Sequence, residues 1–409
     1  MSSTEEALCY LGNISYNISK TKNNRRRRKV WVKNWLTKRE RLSHVNLVRE
    51  LREEKEDFQN YFRMPEPVYD ELLCLVTPII AKRDTCMREA ISPHERLSAT
   101  LRLLITGGTY KDVMYSSAIS RQSLGYIIPE TCDAVYSALK TYLKFPSSEE
   151  EWLAIAEEFE RTWQFPNCLG AVDGKHVAIV PPAGAGTLFF NYKGYHSIVL
   201  MGIANANYEF IYVDIGTNGR ISDGGVLQKT TFFQRLNSKR LNLPSPSGHS
   251  EELPYVFIGD EFFALRTDFM KPYPQRQSQA SSSKRIYNYR VCRARRIIEN
   301  VFGILAARFH IFRSPINTSV HNINKIVLAC CVSHNFLRKK VRQVYSPNQH
   351  FDSENHENGT IELGLRPQNG ELQSLQQTHR LNPTQNVKII REKYETYFNK
   401  VVQCHGNKE

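Results

Sequence analysis

The sequence predicts an α+β or α/β protein in which a mixed sheet flanked by helices follows an all-helical, helix-turn-helix-like region. Two observations predict this class. Over residues 41–160, apolar side chains such as Leu97, Leu101 and Leu104 recur at helical spacing between charged residues. From residue 168 onwards, three runs rich in Ile, Val and Leu, at 168–180, 196–204 and 210–215, predict an antiparallel strand meander that helical segments follow.

These patterns divide the 409 residues into four parts. We expect a disordered basic arm over 1–40, a helical domain over 41–164, the sheet-containing domain over 165–340 and a polar tail with a short terminal helix over 341–409. Hydrophobic residues make up 41% of the chain, which excludes a wholly disordered protein. No apolar run approaches the roughly 20 residues of a membrane-spanning helix, and the N-terminus lacks the apolar core of a secretory signal. We therefore expect no membrane partner.

The charge of the chain favours an anionic partner. The formal net charge is +14, which is typical of proteins that bind nucleic acid or an acidic membrane face. The run Lys-Asn-Asn-Arg-Arg-Arg-Arg-Lys at 22–29 indicates a nuclear import signal or a phosphate-binding arm, and a solvated tail is the alternative. Nine scattered cysteines without a Cys-x-x-Cys pair favour reduced thiols. We expect the protein in the nucleus, with the cytoplasm as a second location.

The helical domain contains a pair of helices with a short turn. The pattern predicts one helix over 110–118 and a second that starts at Arg121, with Ser120 as its N-cap. This spacing suits a helix-turn-helix, in which Arg121 and Gln122 would contact DNA. The alternative is an ordinary helix pair, which many all-helical domains contain.

Four acidic residues in the second half of the chain are candidate ligands of a divalent metal ion. Asp173 lies on the first predicted strand, Asp223 lies in Gly-Arg-Ile-Ser-Asp-Gly-Gly at 219–225, Asp260 ends the predicted strand 255–259, and Glu299 lies on the predicted helix 285–309. Carboxylates are the hard oxygen ligands that Mg²⁺ or Mn²⁺ prefers. Two such ions can activate a nucleophile and stabilise the leaving oxygen of a phosphodiester. An Asp on the first strand, an Asp after a later strand and a Glu on the next helix follow the order of an RNase H-like fold.

Each of these residues also has a structural alternative. An Asp followed by Gly is often a turn or cap residue, and Glu299 is placed to form an i,i+4 ion pair with Arg295. Asp214 ends an apolar run as well, and we interpret it as structural.

A series of motifs occurs in order over residues 165–313. They are Gly-Ala-Val-Asp-Gly-Lys-His at 170–176, Phe-Asn-Tyr-Lys-Gly at 190–194, the segment 214–225, Ile-Gly-Asp at 258–260, and Tyr-Asn-Tyr-Arg at 287–290, which leads to Ile-Glu-Asn-Val-Phe-Gly-Ile-Leu at 298–305. With these motifs the segment resembles the DDE domain of PIF/Harbinger transposases and of the nucleases derived from them. The resemblance implies metal-dependent DNA cleavage or strand transfer. It implies metal ligands among Asp173, Asp223, Asp260 and Glu299, with Asp173, Asp260 and Glu299 as the catalytic residues. Whether Asp223 or Asp260 is the second member of the triad stays open.

Basic residues near the acids are candidates for DNA phosphate contacts. These are Lys175, Lys193, Arg295 and Arg296. Many DDE relatives place a Lys about two turns after the helix Glu, where this chain has Ala306 and Ala307, so Arg308 is a candidate substitute. The resemblance also implies double-stranded DNA as substrate and a separate Myb-like DNA-binding protein as a candidate partner. A second copy of the chain is a further candidate partner.

Three function hypotheses follow. The first is a Mg²⁺- or Mn²⁺-dependent DNA endonuclease or transposase-like enzyme with a two-metal mechanism. The second is a domesticated transposase that binds DNA or proteins in the nucleus without cleavage. The third and weakest is a metal hydrolase that acts on a small phosphate substrate, against which salt-sensitive duplex binding would count.

Overall fold

The computed structural model describes residues 32–86, 89–221, 223–245, 253–261, 263–351, 353–354, 361–362, 364, 372–374 and 384–406. In these residues the α-helices are α1 (Arg39–Leu42), α2 (Val45–Leu51), α3 (Lys55–Phe62), α4 (Glu66–Ile80), α5 (Pro93–Thr106), α6 (Tyr110–Ser117), α7 (Arg121–Leu139), α8 (Glu149–Trp163), α9 (Asp223–Lys229), α10 (Thr231–Asn237), α11 (Gln275–Gln279), α12 (Ser282–Arg308), α13 (Val320–Tyr345) and α14 (Gln385–Gly406). The strands are β1 (Cys168–Ala178), β2 (Ser197–Ala204), β3 (Phe210–Asn218), β4 (Val256–Ile258), β5 (Phe269–Met270), β6 (Ser353–Glu354), β7 (Ile361–Glu362) and β8 (Gln373–Ser374). None of the described helices is long and apolar enough to cross a membrane.

The helical region before the sheet follows the predicted pattern closely. α6 and α7 are joined by residues 118–120, and the Ser120 hydroxyl accepts a hydrogen bond from the N–H of Ser123 at 3.1 Å, as expected of an N-cap. The segment 45–62, whose apolar residues recur at helical spacing, forms two helices, α2 and α3. They are separated at Arg52, whose guanidinium lies 2.7 Å from Asp70 of α4. The DNA-contact role of the α6–α7 pair stays a prediction.

Part of the stretch predicted as a disordered arm is helical. Asn34–Lys38 form a 3-10 helix, and the last two residues of the predicted arm, 39 and 40, begin α1. The ring of Trp35 stacks on Tyr115 of α6 with 5.6 Å between centroids, and this contact explains why the segment is ordered. The basic run at 22–29 lies outside the described residues.

The sheet has the strand order β3-β2-β1-β4-β5, with β8 also paired to β1. β1, β2 and β3 form the predicted antiparallel meander, whereas β4 is parallel to β1 and β5 is parallel to β4. Apolar side chains cover both faces. α12 and α13 pack on one face, with Ile298 and Ile326 in the core, and α8 to α10 pack on the other, with Trp152 and Phe232. β1, buried along almost its whole length, is thus the central strand.

The described residues of the C-terminal part form more structure than the predicted short terminal helix. α14 spans 22 residues and packs on α12 and on the start of the sheet domain. Tyr394 and Phe398, one helical turn apart, stack against Phe165 with centroid distances of 5.5 and 5.2 Å. β8 joins the central sheet. Upstream of α12, the Ser- and Gln-rich segment at 275–283 contains the short helix α11.

A buried imidazole fixes α13 to the start of β3. The Nε2–H of His334 donates to the carbonyl oxygen of Tyr208 at 2.9 Å, and Nδ1 accepts from the Tyr345 hydroxyl at 3.0 Å. Both ring nitrogens are therefore used by the neutral form. Burial lowers the pKa of His334 to about 3, because the charged form cannot be hydrated there.

We expect His334 to make the protein acid-labile. Its folded-state pKa lies below the unfolded value near 6.5, so its stabilising contribution is complete above pH 6.5 and is lost as pH falls towards 3. The loss is about 1.4 kcal/mol for each pH unit in that window. Urea unfolding at pH 7 and pH 5 should show a smaller pH dependence for His334→Gln than for the wild type. An equal dependence in both proteins would contradict this assignment.

Candidate active site

Asp173 lies in the middle of β1 and faces α12. It is paired with Gly202, and a Cβ atom at Gly202 would lie only 3.1 Å from the Phe302 ring of α12. The carboxylate is buried, with 3% of Asp173 exposed. Oδ1 accepts the N–H of Gly174 at 2.8 Å, and Oδ2 lies 2.8 Å from Nζ of Lys175. The first acidic residue is thus held between the sheet and α12.

Asp260 comes to the same place from the neighbouring strand. Ala171 of β1 is paired in parallel with Ile258 of β4. Asp173 and Asp260 each lie two residues after this pair, on their respective segments. They are therefore at equivalent positions just beyond the last paired residues. Both Ala171 and Ile258 pack in the core on the α12 side. The parallel pairing therefore places the second acid beside the first.

Glu299 joins them from α12. Its Oε1 lies 2.7 Å from Nη1 of Arg295, one turn earlier, so the i,i+4 ion pair that the sequence suggested is present. The same guanidinium also interacts with Asp173 and Asp260. Burial on its own would lower the pKa of Arg295, but the negative charges of Glu299, Asp173 and Asp260 outweigh burial and raise it. One arginine is therefore within electrostatic reach of all three carboxylates.

Lys175 is the second cation of this cluster. Its ammonium contacts Asp173 and lies 5.9 Å from the centre of the Phe302 ring. Burial acts to lower the pKa of Lys175, but the charges of Asp173 and Glu299 and the hydrogen bond to Asp173 raise it overall. Lys175 and Arg295 thus balance much of the negative charge of the carboxylates.

The carboxylates suit a divalent cation in chemistry but do not form a ready-made cage. They supply the hard oxygen donors that Mg²⁺ and Mn²⁺ bind. Within the described part of the chain, no three His, Cys, Asp or Glu side chains lie close enough together to hold a metal ion. In the cluster, Lys175 and Arg295 hold Asp173 and Glu299 in ion pairs. Metal binding at Asp173, Asp260 and Glu299 thus requires both basic side chains to turn away.

The other two acids take different positions. Asp214 is paired with Met201, whose side chain packs with Trp152 on the opposite face of the sheet from α12. The Tyr212 hydroxyl donates to Asp214 at 3.3 Å, in agreement with a structural role. Asp223 is the first residue of α9. The charge of Asp260, one of the two candidates for the second triad position, acts on Arg295 together with those of Asp173 and Glu299.

Lys193 lies in a loop whose backbone is held by hydrogen bonds to Asn191. The side-chain oxygen of buried Asn191 accepts the N–H of Lys193 at 3.0 Å and that of Tyr195 at 3.3 Å, and its amide donates to Ser197 at 2.9 Å. Burial and the charge of Lys175 lower the pKa of Lys193, so the two ammonium groups act on each other. Lys175 and Lys193 are therefore neighbours on one side of Asp173.

The remaining basic candidates lie elsewhere. Arg121 and Gln122 are exposed at the N-terminus of α7. Arg296 lies on a different side of α12 from Arg295, near enough to Tyr208 for its charge to act on that hydroxyl. Arg308 donates to the backbone carbonyl of Tyr345 at 2.7 Å, a contact that ties it to the end of α13. Arg308 is thus committed to a structural contact.

Sequence reasoning missed three residues next to the site. They are Tyr192, Gln373 and Ser374, which contact the lysines or each other beside β1. The motif Phe-Asn-Tyr-Lys-Gly contained the signal for Tyr192, because it places an aromatic residue next to Lys193. Nothing in the polar sequence around Gln373 and Ser374 predicts a strand.

Fold and site together define a class of protein. A mixed sheet flanked by helices carries one acid on its first strand, a second after the adjacent parallel strand and a third on the next long helix, an arrangement compatible with a DDE endonuclease. Residues 172–335 match the family model described as DDE superfamily endonuclease. The predicted resemblance to the PIF/Harbinger-derived nucleases is thereby confirmed.

Individual relatives agree with this class. "Putative nuclease HARBI1" of Homo sapiens is 26% identical over 267 residues, which cover 64% of this chain and 72% of the relative. The protein of that name from Xenopus laevis is 24% identical over 277 residues, or 67% of this chain and 76% of the relative. "Protein ALP1-like" of Arabidopsis thaliana is 22% identical over 293 residues, covering 68% and 70%. No solved structure gives a significant match. These similarities support a nuclease or transposase-derived function.

Proposed function

We propose that the chain is a Mg²⁺- or Mn²⁺-dependent DNA nuclease of the DDE type. The observation that carries the proposal is the meeting of β1, β4 and α12 at Arg295, which pairs with Glu299 at 2.7 Å and is subject to the charges of Asp173 and Asp260. Like charges repel and Asp173 is buried, so bringing three acids together from two strands and a helix is unfavourable unless it serves a cation or a reaction. A divalent cation and a phosphodiester fit both the acids and the basic residues around them.

In this proposal Asp173, Asp260 and Glu299 hold the metal. When bound, two divalent ions would lower the pKa of the attacking water or 3′-OH and stabilise the leaving oxygen. Lys175 and Arg295 neutralise the acids in the free protein and would be available to DNA phosphates with metal bound. Lys193 would position the DNA backbone without reading the base sequence. We assign no Ser or Cys nucleophile, because the bound ions would supply the activation of the attacking oxygen.

The finer features of the proposal rest on the predicted fold class. An RNase H-like sheet domain would bring double-stranded DNA to the acids. A helix-turn-helix-like α6–α7 pair would add contacts through Arg121 and Gln122, both of which are exposed. A nuclear location and assembly with a Myb-like protein or a second copy of the chain remain parts of the proposal.

A second candidate is a domesticated transposase that binds DNA or proteins without cutting. The observation that favours it is the internal neutralisation of the acids by Lys175 and Arg295. A protein that has abandoned metal chemistry could keep such ion pairs permanently. The two candidates differ in one measurable property, cleavage that depends on both metal and Asp173.

Nicking of supercoiled plasmid by the purified chain tests the proposal. We expect nicking with Mn²⁺, none with EDTA, and a loss of at least about a hundredfold in Asp173→Asn, because even residues that only orient metal ligands contribute 10–100-fold. Asp214→Asn is the matched control and should cut like the wild type, since Asp214 lies on the opposite face of the sheet. Equal nicking by wild type and Asp173→Asn, or none by either, would reject the nuclease and favour the silent binding protein.

A further inference from the structure

A short strand from the C-terminal part of the chain lies directly beside the proposed active site. β4 is paired with one edge of β1 only as far as Ala171. β8 is paired with β1 further along, with Ser374 opposite Lys175 and Gln373 opposite His176. β8 therefore follows the strand that carries Asp173, just beyond that residue.

Three side chains of the sheet domain donate hydrogen bonds to this strand. Nζ of Lys175 donates to the Ser374 hydroxyl at 2.8 Å, and Nζ of Lys193 donates to the Gln373 side-chain oxygen at 2.8 Å. The Tyr192 hydroxyl donates to the Ser374 carbonyl oxygen at 3.2 Å. We call Lys175, Tyr192 and Lys193 the donor surface. All three contacts present a donor to an uncharged oxygen acceptor.

The donor surface is formed by the sheet domain rather than by β8. Asn191 holds the loop through backbone N–H groups on both sides of Gly194, and Lys175 is fixed on β1 by Asp173. β8 offers hydrogen-bond acceptors but no negative charge to the two lysines. The phosphates of a DNA strand offer acceptors of the same kind and carry charge, so they satisfy this surface more completely.

We propose that the donor surface binds the sugar-phosphate backbone of DNA next to Asp173, and that β8 covers it in the free chain, so that DNA and β8 compete for the same three donors. This inference rests on DNA being the substrate of the proposed function. It goes beyond that function by adding Tyr192 to the binding residues and by giving the C-terminal part of the chain an inhibitory role.

The attachment of β8 is weak enough for such a competition. The strand has two residues, and its two side chains are exposed. Its hydrophobic anchor is the preceding Leu372, which is 8% exposed and packs in the main core. Loss of this anchor or of the acceptor side chains should free the donor surface. The apparent affinity for DNA should then rise. With β8 attached, only a fraction of the molecules has a free donor surface, and this fraction lowers the apparent affinity.

Fluorescence anisotropy with a labelled DNA duplex tests the inference in the full-length chain. The assay is run in EDTA, so it does not depend on cleavage. We expect Gln373→Ala/Ser374→Ala, which leaves the core intact, to bind several-fold more tightly than the wild type. We expect Leu372→Ser to bind roughly tenfold more tightly. Adding Lys193→Ala to either variant should abolish the gain. Ile389→Ser on α14, a side chain 43% exposed, is the matched control for loss of an apolar residue and should bind like the wild type.

The outcomes separate this inference from the proposed function. Unchanged or weaker binding by the Gln373→Ala/Ser374→Ala variant, folded by circular dichroism, would overturn the inference and leave DNA as the substrate. A gain that survives Lys193→Ala would also overturn it, because the gain would not come from the donor surface. Failure of the wild type and all variants to bind DNA at low salt would overturn both the inference and the proposed substrate.

Discussion

The Asp260→Asn variant is expected to lose at least about a hundredfold of Mn²⁺-dependent nicking, whereas Asp223→Asn should lose about tenfold or less. The difference in activity follows from where the two residues lie in the fold. Asp260 acts on Arg295 together with Asp173 and Glu299, and the β1–β4 register brings it beside Asp173. Asp223 begins a helix after β3, where a role in orienting another ligand is the most that we propose.

The same two variants give a second measurement. Calorimetric titration with Mn²⁺ should show weakened binding for Asp260→Asn and nearly unchanged binding for Asp223→Asn. Asp260 is partly exposed at a strand end, so its replacement should change the free energy of unfolding little, and lost activity would report lost chemistry. If Asp223→Asn is inactive and Asp260→Asn is active, the assignment of the second triad member is wrong.

The second large effect concerns the arginine at the centre of the acids. We expect Arg295→Met to be strongly destabilised without metal, because three carboxylates lose the cation that offsets their charges. Removing one partner of a fully buried pair costs roughly 3–5 kcal/mol. The loss here should be smaller, because the Glu299 side chain is 38% exposed and water screens it. This variant should in turn depend on divalent metal for its stability.

Thermal unfolding with EDTA and with Mn²⁺ measures this dependence. Mn²⁺ should raise the melting temperature of Arg295→Met more than that of the wild type, because a ligand that binds only the folded state stabilises it by mass action. Arg296→Met, one residue along the same helix but directed towards Tyr208, is the matched control and should respond to metal like the wild type. An equal metal response in all three proteins would show that Arg295 does not neutralise a metal site.

Much of the fold follows from local sequence. The runs of Ile, Val and Leu predicted the antiparallel meander, because two-sided burial of a strand demands continuous apolar residues. Ser120 predicted the start of α7, because its hydroxyl satisfies a helix N–H that would otherwise have no partner. The arm and the tail were less predictable. Helix formation at 34–42 and in α14 depends on distant partners, Tyr115 for Trp35 and Phe165 for α14, that no local pattern reveals.

For the acidic residues, local sequence predicted the candidates but not their arrangement. Their spacing and motifs selected Asp173, Asp260 and Glu299, and left Asp223 open. Asp214 also follows an apolar run, yet it faces away from α12, because one residue of register moves a side chain to the other face of a sheet. From the sequence alone, the Arg295–Glu299 ion pair was an alternative to a metal site. In the folded protein the same arginine acts on all three acids, so the ion pair is part of the cluster.

The sequence by itself determined the chemical types at the site, the order of strands and helices that carry them, and the excess of positive charge that favours an anionic partner. These properties are local or additive along the chain. Only the tertiary structure decided which acids meet, that Lys175 and Arg295 neutralise them, and that Gln373 and Ser374 lie on the donor surface. Those contacts join residues up to 199 positions apart, as Lys175 and Ser374 are, and they arise from packing and register across the sheet.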